Sequence, residues 1–528
     1  MNKYLTESLL WHLCSVIYGW IRDSFLGRGI RWLGRGWRQS AIYGFFARLL
    51  TKPSAVEDSA LYRFTETVNQ RIHSFGRIFR KGYEESLLGT KVIPAAKNSF
   101  FLGFVLRNGF TTVLLCCAGS YAIIDYLLRD VLQLAAVASV WDEAFMLLCA
   151  MWLVLRQVGQ ETPVKSRVNS SDLLVGFYLL VGVILLLCTP MVNKGLHITG
   201  FRASMQYLVL FFLVVRLIRN NRDFMTLYRL MVAIAFFLAL YGIYQFVVGV
   251  EIPSNWTDAA EGSVRTRIFG IFSNPNIMGA YMVLFAPMAI GLAYAEKEPA
   301  KKVFYWICGL CMCGACLFTM SRGAWLGLAV AAVLFSLIID RRLFFLLLAG
   351  GVLSCFLPFV RSRIGYLFTP AFQESNQRAG RGVRWDRAFG YVTDADAWAM
   401  GLGYGMYGGA VAMQNPINPD YTYTYVDNYY VKIIAENGIV GITALLTMLT
   451  GLLGNGARAC GRNAHSAYKP LCAGMLMGLV GFLVQSFFEC LWEEPYLMAL
   501  FFIMAAMVVY AGFCREEAKA ASGALGVR

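Results

Sequence analysis

Apolar runs close to 20 residues long recur from about position 109 almost to the end of the chain, separated by short polar connectors. A helix that crosses about 30 Å of hydrocarbon needs about 20 such residues. Strands of a membrane barrel would instead show alternating segments of about ten, and none stands out. The pattern predicts an all-α polytopic membrane protein with twelve spans, near 109–128, 133–155, 172–190, 203–219, 225–250, 276–295, 301–320, 322–339, 342–360, 428–453, 469–489 and 493–513. It fails in two places. Residues 1–97 hold no apolar run of 18, but Leu9, Leu10, Leu13 and Ile17, then Ile42, Phe45, Phe46 and Leu49, recur at helical spacing. That spacing predicts amphipathic helices lying on a membrane surface, and no apolar core with a small-residue cleavage site marks a signal peptide. The second failure is 361–427, the only long polar interval in the second half. The chain therefore divides into a basic segment, 1–97, and a transmembrane domain, 98–528, that carries one large loop at 361–427.

Composition agrees: 58% of residues are hydrophobic and mean hydropathy is +0.55. The net charge of +15 would fit nucleic acid or a membrane surface,. Its placement decides for the membrane. Residues 1–97 hold fifteen Lys or Arg against seven Asp or Glu, and further cations sit in alternate connectors: Arg156, Lys165 and Arg167; Arg216, Arg219 and Arg222; Lys297, Lys301 and Lys302; Arg341 and Arg342; Arg458 and Arg462; and the tail from Arg515. The connector with Glu489, Glu493 and Glu494 is acidic. The positive-inside pattern predicts a multi-pass protein of the cytoplasmic (inner) membrane with both termini cytoplasmic and the 361–427 loop extracytoplasmic. No nucleic-acid partner is expected. Most of the fourteen cysteines lie within spans as small apolar residues,. Cys308, Cys311, Cys313 and Cys316 would spread over more than half the circumference of a continuous helix, so no metal site is expected there, and no cofactor.

Outside the membrane there is no ATP, and the chain lacks a Gly-x-x-x-x-Gly-Lys-Ser/Thr loop,. Chemistry on that face needs a pre-activated or hydrolysable substrate. Gly403-Tyr-Gly405-Met-Tyr-Gly408 formally matches G-x-G-x-x-G but follows no strand. It reads as a turn that uses positive φ, or as N–H groups lining an anion site. Arg322, in Ser321-Arg322-Gly323, falls between two spans with almost no connector; it is a snorkelling interface residue or a guanidinium aimed at a phosphate. Arg265 and Arg267 precede Asn274-Pro275, a cap and helix start, and read as solvated loop charges or as part of the same anion site. Arg378, Arg381, Arg384 and Arg387 fall at three-residue steps around Trp385. They form a solvated face or a basic, aromatic-lined pocket for pyrophosphate and sugar. Asp427-Asn428-Tyr429 opens the tenth span. Lys432 and Glu436 lie further in, where charges mark functional sites by default, although Glu436-Asn437-Gly438 also reads as a packing notch.

Taken in order, Gly-x-Phe-x-Asn-Pro-Asn (from Gly270), Ser-Arg-Gly-Ala-Trp-Leu-Gly (from Ser321), Arg381-x-x-x-Trp385, Gly401-x-Gly403-x-Gly405, Asp427-Asn-x-Tyr and Glu436-x-Gly-Ile-Val-Gly441 resemble the bacterial O-antigen ligase and polymerase superfamily. The likeness covers roughly 170–510 and is most specific between 268 and 441. It implies a GT-C-like membrane fold and a metal-independent, inverting glycosyl transfer. The implied donor is a glycan on undecaprenyl pyrophosphate; the acceptor is lipid A core, a growing glycan or a protein hydroxyl. Carried over, the pyrophosphate-binding arginines are Arg322 and Arg381, with Arg384 a near rival. Ligases of this superfamily typically place a histidine where this chain has Asp427. The histidines here are His12, His73, His197 and His465, and of these His197 alone falls in an outer connector. The departure shifts weight toward a polymerase, with Asp427 as the base if burial raises its pKa. The expected catalytic set is Asp427, Arg322 and Arg381. Arg384, Arg265, Arg267, Trp385, Asn428, Tyr429, Gly403 and Glu436 are expected to bind substrate, and Asp394 and Asp396 to be plain loop residues. The competing reading is a transporter or flippase of a lipid-linked glycan. Transporters tend to show repeats and midplane polar sites, whereas no repeat is evident and the unusual charges gather at one face.

Overall fold

The computed structural model of the chain describes residues 60–84, 109–158, 166–189, 193–251, 266–416 and 425–514, with isolated positions before 109. In chain order its helices are α1 (Ala60–Glu84), α2 (Phe110–Gly119), α3 (Tyr121–Tyr126), α4 (Trp141–Val158), α5 (Ser170–Cys188), α6 (Lys194–Met205), α7 (Leu208–Leu217), α8 (Asn221–Val248), α9 (Pro275–Ala295), α10 (Pro299–Phe318), α11 (Arg322–Ile339), α12 (Arg342–Ser354), α13 (Pro358–Gly365), α14 (Pro370–Ala379), α15 (Arg381–Asp394), α16 (Tyr429–Arg462), α17 (Tyr468–Gln485) and α18 (Pro495–Val509), joined by turns and shorter helices. Among the described residues there is no strand.

The count of twelve spans needs correction. Among the described residues nine helices are long and apolar enough to cross a membrane, or ten if the bent run from Phe110 to Val131 is one span. That run turns by 72° at Ser120, so the predicted span at 109–128 is broken. The predicted span at 133–155 becomes α4, which starts only at Trp141 and carries Asp142, Glu143 and Arg156. The predicted span at 342–360 is helical for only 13 residues in α12 and stops before Pro358. The chain still returns to the end it left. The 18 residues of α11 rise about 27 Å,, and Arg363, beyond α12, donates from Nε to the Met320 carbonyl just before α11 begins, at 3.1 Å.

Asparagine starts several spans. Asn169 and Asp172 form a reciprocal capping box on α5, Asn220 caps α8, Asn274 caps α9 with Pro275 at its first turn, and Asn428 caps α16,. α9, α17 and α18 form the centre and are buried along most of their length. Gly474 and Gly478 of α17 face the Pro287 and Leu284 carbonyls of α9 so closely that a Cβ would lie 2.5 and 2.3 Å from those oxygens. Small residues bring membrane helices together in this way. Outer helices present Leu187, Phe237, Val247 and Leu310 to their surroundings.

Polar contacts sort the two ends of the bundle. At one end Arg216 pairs with Asp172 at 3.0 Å and Arg219 with Asp223 at 2.7 Å, Arg156 donates to the Arg216 carbonyl, and Asn455 of α16 bonds Ser171. Arg156, Arg216 and Arg219 are among the cations of the basic connectors. The other end collects the turn before α11, the large loop and the connector between α17 and α18.

The large loop is anchored by a break in α16. Gly438 has φ 63° and ψ −164°, which interrupts the helical hydrogen bonds. The loop replaces them: Leu402 and Gly403 donate to the Ala435 and Glu436 carbonyls, and Ile439 and Val440 donate to Trp398 and Ala399. Irregular backbone at membrane depth is stable only when its polar groups are re-satisfied in this way. The conformation of Gly438 is open essentially to glycine alone, and a Cβ there would lie 2.4 Å from the Ala399 oxygen. Gly438→Ala should cost roughly 3 kcal/mol and release the 398–403 strap. A lower thermal midpoint with new protease cleavage near the strap is the expected result; an unchanged midpoint would mean that the break does not hold the loop.

Candidate active site

The site is built on two helix starts. The turn from α10 to α11 passes through Met320, whose φ is 55°. The Thr319 carbonyl accepts from Arg267 Nε at 3.1 Å, and the Met320 carbonyl takes Arg363. Arg322 is the first residue of α11. Its Cζ lies 5.6 Å from the centre of the Phe372 ring, and its Nη1 is buried with no hydrogen-bond partner among the described residues. Arg381 is the first residue of α15 and donates from Nη2 to the Phe488 carbonyl at 3.1 Å. Arg384, one turn on, meets Asp427 Oδ2 at 2.5 Å and the Tyr425 carbonyl at 3.3 Å. A helix start already carries partial positive charge and favours an anion. Arginines placed at two of them, with Arg322 near both Arg267 and Arg381, make an unfavourable arrangement that an anion would relieve.

Two carboxylates border these cations. Asp427 sits at the loop's end with φ 50°, and Arg381 Nε lies 4.0 Å from the oxygen that Arg384 holds. Burial pushes the Asp427 carboxyl above its ordinary pKa while Arg384 and Arg381 pull it down. Glu489, between α17 and α18, accepts from Asn276 Nδ2 at 2.6 Å. The amide oxygen of Asn276 faces Arg267 Nη2 at 3.4 Å, so this side chain bridges Arg267 and Glu489. Burial, helped by the charge of Asp427, pushes Glu489 up to about 7; the Asn276 bond and Arg381 oppose it. Burial, with Arg322 close by, lowers Arg267 to about 10, so it stays charged at neutral pH. Arg267, Arg322, Arg381 and Arg384 thus outnumber the two carboxylates.

The structure brings Asp427, Arg322, Arg381, Arg384 and Arg267 together. Arg267 is buried and is not a solvated loop charge. Arg265 lies outside the described residues. Arg378, at the end of α14, is cut off from the others by the break at Gly380 and sits across from Glu374. The remaining expected substrate contacts have structural partners. Trp385 Nε1 donates to the Val426 carbonyl at 2.9 Å, which fixes the approach to Asp427. Asn428 caps α16, and Tyr429 stacks on Trp492. Glu436 is buried at 2.9 Å from Lys432 Nζ, which also meets Glu493 at 3.2 Å; Glu493 in turn accepts from Ala410 N–H. Gly403, with φ 103°, has no room for a Cβ against the His197 ring, and its N–H is spent on the Glu436 carbonyl. The glycine string therefore packs the loop onto α6 and α16. His197 is buried on α6, and its ring nitrogens have no hydrogen-bond partner among the described residues.

Sequence reasoning did not select Glu489, Asn276 or Arg363. The acidic connector and the Asn-Pro-Asn motif were visible, but the Asn276–Glu489 contact joins positions 213 apart, and no local spacing signals it.

Residues 307–446 match the family model described as O-antigen ligase. The matched segment contains Arg322, Arg381, Arg384 and Asp427, while Arg267 and Glu489 reach the same site from outside it. No curated protein matches the chain. Over residues 307–446, which carry the two helix starts and the large loop, the chain is similar to the O-antigen ligase family.

Proposed function

We propose that the chain is a metal-independent, inverting glycosyltransferase that takes a glycan from undecaprenyl pyrophosphate at the outer face of the cytoplasmic membrane. The basic connectors at the opposite end support that orientation. The observation that carries the reading is the buried Arg322 Nη1, without a hydrogen-bond partner among the described residues and close to Arg267 and Arg381. A pyrophosphate supplies the anion this arrangement lacks, and guanidinium forks bind phosphate oxygens in pairs. An acceptor hydroxyl attacks the anomeric carbon from the face opposite the pyrophosphate. The new C–O bond forms as the bond to the pyrophosphate oxygen breaks, and the hydroxyl proton passes to the Asp427 carboxylate. Negative charge grows on the departing pyrophosphate, and fixed arginines stabilise it more than the ground state. Asp427 in the position where a ligase carries histidine favours polymerisation of a glycan over ligation to lipid A core.

Titrating polyprenyl pyrophosphate into the purified protein tests the reading. Wild type should bind it at least about tenfold more tightly than the monophosphate, and Arg381→Ala should erase the difference. Equal binding of both lipids would remove the pyrophosphate from the site. The pH dependence follows from Glu489: below about 7 its carboxyl is neutral, and above about 7 it is an anion. An added negative charge repels the donor, so affinity should fall as pH rises through about 7, by about five- to tenfold. Glu489→Gln should flatten that dependence; an unaltered pH profile in this variant would exclude Glu489 as its source.

A further inference from the structure

A charged cavity lies at the end of the bundle opposite the arginine site. It occupies about 220 Å³ between α1, α4 and the start of α5. Its wall is apolar, from Phe64, Leu153 and Val154, and Arg156, Arg167 and Arg216 form the polar side. Phe64 is 66% exposed and Val154 45%, so the apolar wall continues to the outside. The helix α1 that closes the cavity is held by Asn69, whose Nδ2 donates to Ser166 Oγ, and by Gly76, which packs against Val158.

The three arginines are not equally satisfied. Arg216 has a carboxylate, Asp172, at 3.0 Å. Among the described residues Arg167 meets the backbone carbonyls of Ile218 and Arg219, together with the Tyr510 ring. Arg156 spends Nη2 on the Arg216 carbonyl, while its Nη1 is buried without a partner among the described residues. The nearest acidic side chain on α1, Glu66, accepts from the Ser166 N–H, and Asp223 is held by Arg219. Among the described residues, two guanidinium charges thus remain without a carboxylate at a cavity whose open side is apolar.

From this we infer that the cavity binds the phosphate of an anionic phospholipid, with the phosphate on Arg156 and Arg167 and an acyl chain along Phe64 and Val154. A lipid satisfies both halves of the site, because its head group brings the missing anion and its chain covers the exposed apolar wall. Basic pockets beside membrane helices on the positively charged side hold anionic head groups by this logic. The lipid ties α1 to the bundle at the end remote from the arginine site.

The test uses the full-length protein purified in detergent, with retained lipid measured by native mass spectrometry after incubation with phosphatidylglycerol or phosphatidylcholine. Phosphatidylglycerol should be retained and phosphatidylcholine lost. Arg156→Gln should reduce retention by about tenfold, the loss of one charge-assisted contact. Phe64→Glu, at an exposed position that does not support the interior, should reduce it as well and serves where Arg156→Gln fails to fold. Glycerol phosphate in millimolar excess should not displace the lipid. Equal retention of both lipids, full retention in Phe64→Glu, or complete displacement by glycerol phosphate would overturn the assignment. The readout is lipid retention, so its failure leaves the proposed transfer reaction untouched.

Discussion

Arg322→Ala is expected to lower transfer by at least about a thousandfold while leaving the protein folded in the membrane. The side chain gives little to the fold: among the described residues Nη1 has no hydrogen-bond partner and the guanidinium rests on one ring, Phe372. Its position at the start of α11, near Arg267 and Arg381, is electrostatically costly until an anion arrives,. Removing it should therefore leave stability unchanged or raise it slightly, against the usual trend for a partly buried side chain. Arg322→Lys keeps the charge and loses the planar fork, so it should recover only a small part of the rate. Turnover and thermal midpoint measured together check the claim. Near-normal turnover in a folded Arg322→Ala protein would mean that this arginine is only an interface residue.

Asp427→Asn should lower turnover by about a hundred- to ten-thousandfold, the range contributed by a positioned base, with little change in donor affinity. The substitution keeps the size of the side chain and an oxygen for Arg384, which now meets the carboxylate at 2.5 Å. It removes the ability to take a proton. Two opposing effects set the starting point: burial raises the Asp427 carboxyl, and the adjoining guanidinium groups lower it. Undiminished turnover in Asp427→Asn would rule the residue out as the base and turn attention to Glu489. The two carboxylates are separable, because Glu489→Gln is expected to change the pH dependence of donor affinity and Asp427→Asn the chemical step.

Much of this site was legible because its parts are local. Arg322 stands out between two spans, and Arg381, Arg384 and Asp427 fall in one polar interval. The asparagine before an apolar run marked α9 and α16 correctly. Breaks inside helices were harder to read. An apolar run does not reveal the 72° turn at Ser120 or the end of α12 before Pro358, and these account for much of the miscounted spans. Gly438 looked like a packing notch, yet it opens α16 to accept the strap at 398–403, a contact between segments more than 30 residues apart in the chain. The same tertiary logic surrounds Glu436 and Gly403. Their neighbours Lys432, Glu493 and His197 give them packing and pairing roles, where sequence alone suggested substrate contact. Glu489 was visible only as one of three acidic residues in a connector. Its partner Asn276 is what distinguishes it from Glu493, which pins the loop through Ala410 and Lys432.

A buried break in α16 and a buried ion cluster hold the large loop rigidly over one end of the bundle. That rigidity fixes α15, and with it Arg381 and Arg384, opposite the turn that carries Arg322. The central claim is that this arrangement cleaves the bond between glycan and pyrophosphate. The most direct measurement is reconstitution of the purified protein into liposomes with polyprenyl-pyrophosphate-linked glycan, with and without acceptor glycan. The account predicts free polyprenyl pyrophosphate, released only when acceptor is present and absent in Arg322→Ala. Movement of intact lipid-linked glycan between leaflets, with no release, would contradict it.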